Sequence, residues 1–135
     1  MLGEQIMEET GKTIGRRVYR DENGTTLVEV SAEGQGKLLG VPYRSFLTYT
    51  NELREDGTLC GTAVGVVMSE DGSAHATFTA DGLGQFKDKG RVSYRGNCYY
   101  QSKSPKWAQL SKVPVVFEYE VEADGSSKGK EWEWR

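Results

Sequence analysis

Apolar and polar residues alternate along most of this chain in runs of about eight to twelve residues, the spacing expected of successive short strands. The runs are separated by acidic–glycine marks: Asp21–Gly24, Glu55–Gly57, Glu70–Gly72, Asp81-Gly82, Asp88–Gly90 and Asp124-Gly125. Glycine takes the positive φ of a tight turn without a Cβ clash, and Asp or Asn tolerates it through local hydrogen bonds. Marks of this kind between alternating runs predict a chain of antiparallel hairpins.

The first strand is expected at Lys12–Arg20, with Ile14 and Val18 on one face and Met1–Thr10 left as a peripheral segment. Thr25–Glu33 follows, with Thr26, Val28, Val30 and Ala32 opposite Glu29, Ser31 and Glu33, and then Val41–Asn51. In Thr58–Ser69 the residues Thr62, Val64, Val66 and Met68 line one side. The other, with Gly61, Ala63 and Gly65, is nearly bare, so something approaches it closely or the sheet bends there. Ser73–Ala80 and Gly90–Gln101 come next, then an irregular crossing, Ser102–Lys112, with a short helical turn at Trp107–Leu110. Val113–Ala123 and Ser127–Trp134 complete the set. Val28, Val30, Val64, Val66, Val115, Phe117, Tyr119 and Val121 are assigned to the apolar layer, and the glutamates of Val113–Ala123 are set to meet Lys128 and Lys130 across the last hairpin.

About eight antiparallel strands with short sequential connections predict an all-β fold, a closed barrel in a mostly up-and-down meander, whose interior is filled by side chains or holds one small ligand. A sandwich needs longer crossings, and only Gly34–Gly40 and Ser102–Lys112 offer any.

With 135 residues the chain is one domain, 1–135. A net charge of -3, pI near 5.3 and dispersed Lys and Arg argue against nucleic acid as a partner. No apolar run reaches membrane-spanning length, and Met1–Thr10 lacks the basic start and apolar stretch of an export signal. The expected compartment is therefore the cytoplasm, with Cys60 and Cys98 as free thiols.

The chemistry in the sequence is sparse. His75 is the sole histidine and has no sequence-local partner for acid–base work, so it reads as structural before catalytic. One His and two Cys give no metal-ligand spacing, and neither cofactor nor catalytic set is expected. Gly34-x-Gly36-Lys37 and Gly82-x-Gly84 open no helix, so they read as bulge or hairpin glycines rather than phosphate loops. Asn23-Gly24-Thr25 has the form of a glycosylation site, but a type I′ hairpin turn accounts for it.

Tyrosine offers an apolar body and a polar tip, and the strands here are rich in it. Tyr43, Tyr49, Tyr94 and Tyr100, with His75 and Arg95, are the candidate ligand-binding residues, Arg95 or His75 sitting near one mouth as an anchor for a carboxylate or carbonyl. Ordinary core packing accounts for the same tyrosines.

The stretch Gly57–Met68, then Gly82-Leu-Gly-Gln-Phe86, then Val92-Ser-Tyr-Arg-Gly96 is similar to the glycine-marked strand order of uncharacterised bacterial proteins with an allene oxide cyclase-like barrel, relatives of the lipocalins. The resemblance, one of layout over residues 11–134, implies an eight-stranded barrel enclosing an apolar cavity. Plant cyclases of this type rearrange an unsaturated fatty-acid epoxide and often form trimers. Their catalytic glutamate, asparagine and proline do not map onto this N-terminal strand.

Three functions follow as alternatives. The first is a non-enzymatic barrel binding a small apolar or amphipathic ligand. The second is an isomerase or cyclase using His75, Tyr94 or Arg95. The third is a packed barrel whose outer strands assemble it as a homo-oligomer.

Overall fold

Alternation becomes architecture through one ladder. In a computed structural model describing residues Met1–Arg135, eight antiparallel strands pair in chain order and the last pairs with the first, closing a barrel. They are β1 (Leu2–Arg20), β2 (Thr26–Leu38), β3 (Val41–Leu53), β4 (Leu59–Ser69), β5 (His75–Phe86), β6 (Val92–Gln101), β7 (Val115–Val121) and β8 (Ser126–Trp134). The closed meander is the fold the alternation predicts.

β1 begins ten residues before the expected Lys12, at Leu2. Met7–Lys12 bond to β2 on one side and to β8 on the other, so this segment is the seam that closes the barrel. The expectation of a peripheral N-terminal segment is thus corrected: Ile6, Met7 and Glu9 are buried. The alternation in Met1–Thr10 is hidden by its glutamates, one of which points inward. Further along, a register shift between Thr13 and Gly15 leaves Ile14 as the extra residue of a bulge, and both Ile14 and Val18 lie exposed.

Most hairpin turns share one chemistry. Asp21, Asp56, Asp71 and Asp124 each accept, through Oδ1, the backbone N–H two residues on, while Gly24, Gly57, Gly72 and Gly125 take positive φ. Asn23 itself is not left-handed, so the Asn-Gly pair does not form the expected type I′ turn; that geometry falls to Leu39 (φ 50°) and Gly40 (φ 78°) instead. Asp81-Gly82 is no turn and lies within β5. Gly34 and Gly36 likewise lie within β2, and so are neither bulge nor hairpin glycines.

The face of β4 is also corrected. Val64 and Val66 lie outside the barrel and exposed, while Gly61, Ala63, Gly65 and Val67 face the lumen. A Cβ at Gly65 would stand 2.3 Å from the Phe78 ring of β5, so the bare face makes room for a ring. Val30, Val115 and Val121 are buried as assigned, and Val28, Phe117 and Tyr119 pack against the core.

One end of the barrel is sealed by the β6–β7 connection, which carries a 3₁₀ turn at Ala108–Lys112. Trp107 inserts there, fully buried, and its indole N–H donates to Leu38 O at 3.1 Å, while Leu110 packs beside it. The other end is bounded by hairpin turns alone. Removing the plug leaves a large hole in the core, so Trp107→Ala should lower stability by about 3–5 kcal/mol. Val64→Thr, on the outer wall, should change it by less than about 0.5 kcal/mol. Urea titration followed by far-UV circular dichroism measures both, and equal losses would place Val64 in the core after all.

Candidate functional site

Inward positions repeat every second residue on each strand, so a lumen layer draws one residue from each neighbour. Toward the open end, Tyr49 packs edge to face on Tyr94 and on Tyr119, with ring centroids 5.7 Å and 6.2 Å apart, and Tyr94 and Tyr119 meet at a tilt. Asn51 Nδ2 donates to the Tyr94 hydroxyl at 2.8 Å. Its Oδ1 is buried with no partner and lies over Gly61. Toward the sealed end, Tyr43, Phe78 and Tyr100 meet the cluster built on Trp107. Between the two ends lies a cavity of about 90 Å³, lined by rings, Leu47, Ala63 and a small set of polar groups.

Two of those groups are carboxyls. On the β1–β8 ladder Met7 pairs with Glu131 and Glu9 with Gly129, which makes Glu9 and Glu131 diagonal neighbours, both turned inward. Glu9 Oε1 accepts from the Tyr43 hydroxyl (2.9 Å) and from Ser45 Oγ (2.6 Å); Glu131 Oε1 accepts from the Tyr100 hydroxyl (2.6 Å). No Lys, Arg or His forms an ion pair with either, whereas Glu133, one step further along β8, is paired with Arg135 at 2.8 Å. Bare strand makes the space: a Cβ at Gly34 would lie 2.5 Å from Glu9 Cδ.

Burial without a counter-ion disfavours the charged form. Desolvation pushes Glu131 up to about 8, its Tyr100 hydrogen bond pulling down and the nearby Glu9 pushing up; Glu9 is raised by desolvation too, against its bonds from Ser45 and Tyr43. Burial also raises the Cys98 thiol, with the charge of Glu131 adding to it. At neutral pH the lumen therefore holds a proton on Glu131.

Of the candidate ligand-binding residues, Tyr43, Tyr49, Tyr94 and Tyr100 line this cavity. His75 and Arg95 do not: both are exposed on the outer wall. Arg95 is held there by Glu120 (3.1 Å) and Glu118 (3.7 Å) across the β6–β7 ladder. These contacts correct two expectations. Arg95 is turned away from the lumen, and the β7 glutamates, which stand opposite Lys130 and Lys128 in the β7–β8 ladder as expected, form their ion pairs with arginines of β6. Cys60 faces out and Cys98 in, so the two thiols are free.

Glu9, Ser45, Asn51 and Glu131 were not among the sequence candidates. A glutamate in an alternating strand is assigned to water by default. On β8 that rule sends Trp132 and Trp134 inward, whereas Trp134 is half exposed and Glu131 and Glu133 are buried. The available signal was glycine: Gly34, Gly36 and Gly129 surround Glu9 in register.

A carboxyl whose folded pKa lies above its unfolded value near 4.5 favours the folded state most while protonated. Stability should therefore fall as pH rises from about 5 and level off above about 8. Glu131→Gln should remove most of that slope. Denaturant titrations at pH 5, 6.5 and 8 test this, and a parent profile that rises or stays flat would refute the buried proton.

No protein-family model matches the chain, and no curated protein matches it in sequence. Its fold is shared with solved structures of low identity. A protein of unknown function from Clostridium acetobutylicum is 14% identical, with a TM-score of 0.81 over 96% of each chain. A conserved protein of unknown function from Rhodopseudomonas palustris is 13% identical, with a TM-score of 0.78 over 99% of each chain. A β-barrel-like protein from Acinetobacter baumannii is 9% identical, with a TM-score of 0.81 over 100% of this chain and 96% of the other. The chain is thus similar over its whole length to small bacterial barrels; at these identities the likeness is one of fold.

Proposed function

We propose that this protein is a non-enzymatic barrel that holds one small, largely apolar molecule in its lumen. The observation that carries the reading is the cavity of about 90 Å³ between two packed ring clusters. Its size sets the ligand. An apolar cavity of about 150 Å³ takes a benzene ring, and drug-sized ligands use about 300–1,000 Å³. This lumen suits a five-membered ring or a short branched chain and is too small for a fatty-acid epoxide, which weighs against a cyclase of the resembling type. The outward positions of His75 and Arg95 also remove most of the proposed isomerase set. The free thiols of Cys60 and Cys98 suit a reducing compartment such as the cytoplasm. No helix is long and apolar enough to cross a membrane.

A second reading rests on the outer wall. Phe46, Val64, Val66, Met68 and Tyr99 are exposed on consecutive strands β3–β6, among the uncharged Thr48, Thr77 and Thr79. The strip carries a single arginine, Arg44, beside Met68 and over the Phe46 ring, and is otherwise apolar or neutral; it can meet its own copy, so a homo-oligomer is the occupant it fits.

Titration with cyclopentanol should shift the NMR signals of Tyr49 and Phe117, and Ala63→Leu, which fills the lumen, should weaken that binding at least tenfold. Lumen signals unmoved at millimolar probe would refute the ligand reading. Native mass spectrometry tests the second: a dimer or trimer that Val66→Lys dissociates supports it, and a monomer at micromolar concentration refutes it.

A further inference from the structure

Resting on the lumen-ligand reading, the geometry points to the charge of the occupant: we infer that the cavity is a site for a small organic ammonium ion, held by Glu9 and Glu131. The first observation is the uncompensated acid pair. Two carboxyls about nine-tenths buried line one cavity, and no basic side chain pairs with either. The second is the direction of the hydrogen bonds. The donors beside the pair, from Tyr43, Ser45 and Tyr100, all go to the Oε1 atoms, which leaves the Oε2 atoms to the cavity.

The third is the balance of donors and acceptors. Once Glu131 has given up its proton, the two Oε2 atoms are acceptors alone, and no donor beside the pair is left for them. They are matched by a molecule with several N–H donors and no acceptor. An alkylammonium ion is such a molecule.

The walls agree with this choice. The faces of aromatic rings carry negative quadrupole charge and attract cations, strongly so where water is excluded. Tyr43, Tyr94, Tyr100, Phe117 and Tyr119 all border the cavity. Of the ligands the sequence suggested, a carboxylate would add a third acid to a pair without a basic partner, and a carbonyl could take a hydrogen bond only from the proton on Glu131, leaving the free oxygen of Glu9 unmatched. A divalent metal would find no third carboxylate, thiolate or imidazole positioned with the pair. Binding the cation converts neutral Glu131 to its anion and releases its proton to solvent.

Isothermal titration calorimetry with pyrrolidinium and its neutral isostere tetrahydrofuran tests the assignment at pH 7. Pyrrolidinium should bind at least tenfold tighter, and heats measured in phosphate and in Tris should differ by the release of a fraction of a proton or more per site. The variants Glu131→Gln and Glu9→Gln, singly and together, remove charge from a buried site and so need not unfold it; circular dichroism checks that they are folded. In the double variant the preference for the cation should vanish while tetrahydrofuran still binds. Equal affinities for the two probes in the parent protein would overturn the ammonium assignment and leave the lumen-ligand reading intact. A preference surviving in the double variant would also overturn it. Binding of neither probe would mean a lumen occupied by water alone and would sink both.

Discussion

The radius of a closed barrel is set by strand number and stagger, and at eight strands the interior is about as wide as its side chains. Every ring placed inside must therefore be matched by absent side chain on the wall it faces. Gly65 lies beneath Phe78, Gly84 beneath Tyr94 and Gly82 beneath Phe117, each so close that a Cβ would approach the ring to 2.3, 2.7 and 3.1 Å. The same exchange admits a carboxyl: Gly34 yields its place to Glu9. Closure of the ladder and filling of the lumen are thus one constraint, and the segment that closes the ladder, Met7–Lys12, is also the one that brings the first acid inside.

That constraint explains what the sequence revealed. Strand order, the hairpins at Asp21, Asp56, Asp71 and Asp124, and the inward run Val115, Phe117, Tyr119, Val121 follow from period-two alternation and turn chemistry, which are local. The face of β4 does not. Val64 and Val66 outweigh Gly61 and Gly65 on any hydrophobicity scale, yet a lumen wall opposite Phe78 needs glycine, and that information lies on the neighbouring strand. The site was half legible for the same reason. Tyr43, Tyr49, Tyr94 and Tyr100 announce themselves as amphipathic rings on strands. Glu9 and Glu131 belong to a residue type that water usually claims, and only their registration against Gly34, Gly36 and Gly129 reveals an inward path.

Burying an acid without a basic partner opposes folding, because the charged form loses hydration that nothing restores. A fold stabilised only by packing would gain from leucine or glutamine at Glu131. The protein meets the cost in part, with a phenol hydroxyl on each carboxyl and with a retained proton on Glu131. Those devices leave one oxygen on each acid facing an open space. Structural needs alone call for none of these. A buried proton that burial makes easy to hold is also one that an arriving cation can displace, so occupancy and protonation of the lumen become linked equilibria. The acid pair that weakens the empty barrel is then the feature that would let an occupant stabilise it.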